Sequence, residues 1–200
     1  MRNANLDKTQ IARRQLGTAL ALFIADLDPV CVHVLACGGG EIAQHLTVKA
    51  SREPFRDHAI ATFPDLSVEK IRDIRNRYWN AFKHATTRKG LDRADEALLE
   101  KFTDIQNDHA LFVGWYDYSL ATSRMPIEAQ AFQTWYFALY PDKLNPDVDV
   151  SAYEVHFPRL PTLSRQNQKR ALRAAIARVR MDADVMSDAA TESGPLIVST

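Results

Sequence analysis

Cysteine is nearly absent from this chain: Cys31 and Cys37 are the only two in 200 residues. They sit six positions apart in one expected helix, so a framework of disulfides is excluded and a reducing compartment fits. No uninterrupted apolar run approaches the ~18 residues of a membrane span, which argues against a transmembrane helix. The first residues, MRNANLDKTQIARRQ, lack the basic-then-apolar order of a signal segment, so the expected location is cytoplasmic. Excess charge of either sign is also missing, with 25 basic residues against 25 acidic ones, and a general polyanion binder finds no support. Chemical signatures are scarce. The run GGGE has no following Lys and Ser/Thr, so there is no phosphate loop, and neither a nucleophile elbow nor a clustered-cysteine zinc pattern occurs.

What the chain does have is hydrophobic residues, 46% of the total, arranged mostly at helical spacing. Ile11, Leu16, Leu20, Phe23, Ile24 and Leu27 predict a first helix over Leu6 to Leu27, with Asp7 as its cap. Pro29 opens a second helix that runs to about Ala50. Its Gly38-Gly39-Gly40 run costs roughly 1 kcal/mol per glycine relative to alanine. Either the helix breaks there or small residues let another backbone pass closely; the resumed spacing in EIAQHL favours a continuous helix. Residues 51 to 66 read as a connection with two prolines. Further helices are expected from Val68 to Thr86 behind Ser67, from Leu91 to about Gln106, from a cap at Asn107 or Asp108 to Arg124, and from Glu128 to Leu139. A proline-rich extended segment follows, with one short strand expected at 151 to 157. Ser164 begins a basic helix, and residues 184 to 200 are expected to be a disordered tail. The fold class expected is all-α, an antiparallel bundle over 1–145, with an extended segment and basic helix over 146–183 packed on or beside it.

The stretch RNRYWNAFKH, residues 75 to 84, raises the question of function. At ~100° per residue, Ile71, Ile74, Tyr78, Ala81, Phe82 and Ala85 share one side, while Arg77, Asn80 and His84 form a polar stripe on the other. An amphipathic helix needs a wet face, and that alone accounts for the stripe. The same groups also carry chemistry. Histidine moves protons near neutral pH, arginine holds a phosphate with a bidentate fork, and asparagine orients either.

An arginine followed a few positions later by histidine, with asparagine nearby, on a helix of a small bundle resembles the motif of HEPN domains. Here six residues separate Arg77 from His84, and the resemblance covers roughly residues 7 to 140. It implies metal-independent RNA cleavage, usually with the motifs of two protomers facing across a dimer. Arg77 would then hold the phosphate, His84 act as acid and base, and Asn80 orient them. Apart from the resemblance, Glu41 or His33 facing the stripe from the second helix would tune it, and Arg75 and Lys83 are candidate nucleic-acid contacts. The implied partners are a second copy of the chain and RNA, with no cofactor. Many HEPN-like domains only bind or dimerise, so a non-enzymatic dimerisation or partner-binding module is the alternative.

Three further features have two readings each. His33, Cys37, Glu41 and His45 recur every four residues, a spacing that suits a metal, with Glu41 and His45 as the better pair. The stripe drifts around the helix by ~40° per step, and His33 and Cys37 also fit as buried core groups. The basic helix carries Arg165, Lys169, Arg170, Arg173, Arg178 and Arg180. It is either a docked helix with a solvated basic side or a phosphate-contacting element through Arg170 and Arg173. The aromatics of GWYDYSL and TWYFALYP fit core or dimer packing, or a ligand pocket.

Overall fold

The computed structural model describes residues 6–63, 65, 67–145 and 148–198. Parts of four expectations lie outside these residues: the N-terminal reading at 1–5, the connection at 64 and 66, the extended segment at 146–147 and the tail at 199–200.

The described residues form an all-α bundle with ten helices and one two-residue strand pair. The helices are α1 (Lys8–Ile24), α2 (Pro29–Lys49), α3 (Phe55–Thr62), α4 (Val68–Lys83), α5 (Glu96–Leu99), α6 (Ile105–Thr122), α7 (Ile127–Leu139), α8 (Ser151–His156), α9 (Arg165–Val179) and α10 (Ala183–Ser187). No helix among the described residues is long and apolar enough to cross a membrane.

Local sequence accounts for most of the long helices. Asp7 caps α1 by accepting the Gln10 N–H, and the Gln10 side chain returns the bond to the Asp7 N–H. Asp28 accepts from the Cys31 N–H and Pro29 occupies the first turn of α2. Ser67 accepts from the Lys70 N–H at the start of α4. Helix α2 runs unbroken through its three glycines. The reason is where they lie. A Cβ on Gly40 would stand 3.3 Å from the Gly114 Cα of α6, so the two backbones pass almost in contact. Close packing offsets the weak helix propensity of glycine, and α2 lies at the centre of the bundle against both α1 and α6.

The main core is aromatic. Phe23 of α1 meets Phe132 and Trp135 of α7 edge to face, at 5.6 and 6.0 Å between ring centres. Leu16, Leu20, Leu111 and Trp115 are among its fully buried residues. Leu172, Ala175 and Ile176 of α9 join the same core, so the basic helix is docked on the bundle.

Several expectations fail for tertiary reasons. The connection after α2 contains α3. Helix α4 ends at Lys83, and the expected helix over 91–106 is helical only at α5 before α6 begins at Ile105. Asn107 and Asp108 are not caps but fully buried members of α6. The expected strand at 151–157 is α8. The expected disordered tail is folded from 184 to 198: it forms α10, then Thr191–Glu192 pairs in parallel with Met125–Pro126, and Leu196 is buried. Glu192 anchors it, accepting from Arg13 at 2.5 Å and from the Tyr118 hydroxyl at 2.8 Å.

Candidate functional site

Helices α3 and α4 have no fully buried residue, although α4 carries a clear apolar face. Ile71 and Ile74 of that face line a cavity, and Tyr78 lines it too while packing against His33 and Phe102. The cavity measures about 1070 Å³. Its floor is the α2–α6 crossing, with Ala36, Gly40, Ala110 and Gly114. Phe55 and Ala59 of α3 stand on one wall, and Tyr136 and Tyr140 lie at the α7 end.

His33 of α2 lines this cavity and is 4% exposed. The Asn107 side-chain nitrogen donates to the Pro29 carbonyl at 3.0 Å, which turns the Asn107 oxygen toward His33 Nδ1 at 2.9 Å. His33 therefore donates through Nδ1, and its Nε2 is left as a bare acceptor, buried and without a partner among the described residues. Burial pulls its pKa below the usual histidine value, opposed by the Asn107 bond, so the ring is neutral at pH 7. The edges of Tyr78, Phe82 and Phe102 surround it, with ring centres 5.4 to 6.1 Å away.

Arg75 reaches from α4 back to α2. Its Nη1 donates to the Gln44 side-chain oxygen, while Nη2 is buried and has no partner. The guanidinium lies over Gly40, where a Cβ would stand 3.5 Å from Nη2. Among the described residues Arg75 forms no ion pair. Asp117 of α6 is close enough for its carboxyl to feel Arg75 and Arg56, yet burial dominates and pushes that carboxyl up to about 6. Its Oδ1 accepts the Phe55 N–H at 2.7 Å, which ties α3 to the floor, and its Oδ2 is buried without a partner.

Two other titratable groups on the wall are held neutral. His109 bonds the Tyr136 hydroxyl through Nδ1 at 2.8 Å, and burial with the nearby Lys143 and Arg165 charges lowers it to about 4. Burial pushes the Cys37 thiol up to about 12, so it is an inert apolar filler at neutral pH.

The residues singled out from the sequence divide clearly. His33, Arg75 and Arg77 lie on the cavity lining, with Arg77 at its exposed rim. Asn80 is half-buried and His84 is exposed just beyond the end of α4. Among the described residues, no side-chain hydrogen bond or ion pair links Arg77, Asn80 and His84. Glu41 and His45 are exposed on α2. No three His, Cys, Asp or Glu side chains among the described residues form a metal-binding group. Lys83 is exposed and its ammonium lies 3.5 Å from the centre of the Trp79 ring.

The basic helix uses most of its charge inward. Arg165 pairs with Asp104 at 2.7 Å and with the fully buried Asp108 at 2.5 Å. Lys169, 2% exposed, pairs with Asp26 at 2.7 Å and Asp104 at 2.9 Å. Arg173 donates to the Ile24 carbonyl at the end of α1, and Arg180 pairs with Glu128. Arg170 is exposed and bonds Asn167 at 2.9 Å.

Sequence reasoning missed Asp117, Gln44 and His109. Asp117 had a readable signal, a carboxylate inside the aromatic run GWYDYSL. Gln44 and His109 had none, because their importance comes from what α4 and α7 bring to them. Compared with known proteins, the chain matches no protein family, no curated protein and no solved structure.

Proposed function

We propose that the protein is a non-enzymatic binding module that takes a small organic molecule into the cavity between the α2–α6 floor and helices α3 and α4. One observation carries this reading: a cavity of about 1070 Å³ with two buried, unsatisfied polar atoms on residues of its wall, His33 Nε2 and Arg75 Nη2. Buried polar atoms are almost always hydrogen-bonded, and an apolar cavity with a few such atoms is the usual form of a ligand site. The neutral dye Nile red tests it. Its emission should rise and saturate with the wild-type protein and be largely lost with Ala110→Phe, which fills the floor. Equal emission with both proteins, or none with either, rejects the reading.

A second reading rests on Arg77 and His84 being exposed, with no side-chain hydrogen bond or ion pair among the described residues, as the HEPN resemblance requires of a metal-independent ribonuclease. In that reading the phosphate lies between Arg77 and His84, and a second protomer supplies the facing motif. Cleavage of mixed cellular RNA in excess chelator, compared with His84→Ala, decides it. Chelator-resistant cleavage lost in the variant supports a ribonuclease. Equal traces with both proteins, or no cleavage with either, reject it in favour of the binding module.

A further inference from the structure

The cavity is not electrically neutral. Its lining holds Arg56, Arg75, Arg77 and Lys143 against two acids, Asp65 and Asp142. Arg56 is spoken for by its neighbour Asp57 at 2.8 Å. Arg75 is different: it is half-buried, the Asp117 carboxyl feels its charge without pairing with it, and among the described residues it forms no ion pair and has its Nη2 unused. A guanidinium removed from water keeps its preference for a carboxylate, and two oxygens match its two nitrogens side by side.

The second unsatisfied atom sets the length and polarity of what fits. Arg75 lies over Gly40, and His33 precedes Gly40 by seven residues on α2. Seven residues are close to two turns, so the two positions share a face about 10 Å apart. The surface between them is apolar, made by Ala36, Cys37 and the facing Tyr78. At the far end His33 Nε2 is an acceptor, which calls for a hydroxyl or amine hydrogen and not for a second anion.

We infer that the ligand is an organic acid with a flat apolar body about 10 Å long, its carboxylate seated on Arg75 and its opposite end carrying a hydrogen-bond donor for His33. This rests on the binding-module reading and narrows it to a class. Neutral apolar molecules enter the cavity but forgo the guanidinium.

The test uses 6-hydroxynaphthalene-2-carboxylate and the matching 6-hydroxynaphthalene-2-carboxamide, titrated calorimetrically into the full chain and into Arg75→Met. The pair differs in charge and hardly in shape. The acid should bind wild type about tenfold or more tightly than the amide, the range of one charge-assisted hydrogen bond. In Arg75→Met that preference should vanish while amide binding persists. Equal affinity for acid and amide in wild type overturns the inference and leaves the cavity reading standing. So does a preference that survives in Arg75→Met, which places the anion elsewhere. If neither probe binds wild type, the inference falls, and the Nile red titration alone decides the cavity reading. The wild-type comparison decides even if Arg75→Met fails to fold.

Discussion

His33 donates its Nδ1 hydrogen to the Asn107 side-chain oxygen across 2.9 Å, joining α2 to α6 at a point that water does not reach. That single bond chooses the tautomer of the ring and leaves Nε2 with a lone pair and no partner. Asn107→Ala should cost roughly 2–3 kcal/mol in urea unfolding, because it strips both His33 and the Pro29 carbonyl of a buried bond. The imidazole nitrogen shifts should show the protonated nitrogen fixed at Nδ1 in wild type and averaged in the variant. A fixed Nε2–H in wild type contradicts the assignment.

Asp117 should make stability depend on pH in an unusual direction. Its folded carboxyl titrates at about 6, above the ordinary 3.8, because of burial. Between those values the folded chain binds more protons than the unfolded one, so this group's contribution falls as pH rises and is flat above the folded value. Asp117→Asn should therefore gain stability relative to wild type from pH 4 to pH 7, by at most about 3 kcal/mol. A difference that stays constant over that interval contradicts the prediction.

The Arg165 cluster should be sensitive to losing one partner. Asp108 is fully buried, and it accepts from Arg165 and from the Tyr140 hydroxyl at 2.6 Å. Burial raises its pKa and these bonds oppose the rise. Arg165→Met should cost about 3–5 kcal/mol by stranding that carboxylate, and adding Asp108→Asn should recover part of it. Strict additivity in the double-mutant cycle would count against coupling.

The C-terminal strap should release in one step. Glu192→Ala removes an acceptor that Arg13 and Tyr118 share and leaves Arg13 only the Pro195 and Leu196 carbonyls, at an expected cost of roughly 2–4 kcal/mol. Limited proteolysis should then cut within residues 188–198 while α1 to α9 stay protected. Unchanged protection of the strap contradicts its role as anchor.

These contacts also mark how far the sequence could be read. Helices α1, α2, α7 and α9 follow from apolar spacing, and Asp7 and Ser67 from cap chemistry, all within a few residues. Asn107 and Asp108 are cap-type residues that sit inside α6 because His33 and Arg165, 74 and 57 positions away, satisfy them. Residues 151–157 have strand-like alternation, yet a strand needs a neighbour to pair with and the fold puts none there; α8 forms instead. The basic helix had a solvated reading and a phosphate reading, and its acids come from Asp26, Asp104 and Asp108, which no local pattern could assign to it. His33 and Arg75 were visible as candidates. Their shared cavity was not, since it forms between helices far apart in sequence, α3 and α4 on one side and the α2–α6 floor on the other.

The grip of Arg13 on the strap has a consequence for how the chain is made. The acceptors of its guanidinium, Glu192, Pro195 and Leu196, lie 179 to 183 residues downstream. At a synthesis rate of about 5–20 residues per second, Arg13 leaves the ribosome roughly 10 to 35 seconds before they do. Through that interval the α1–α2 pair carries a cation whose native partners have not yet been made, so the strap docks only onto a bundle that has been waiting for it.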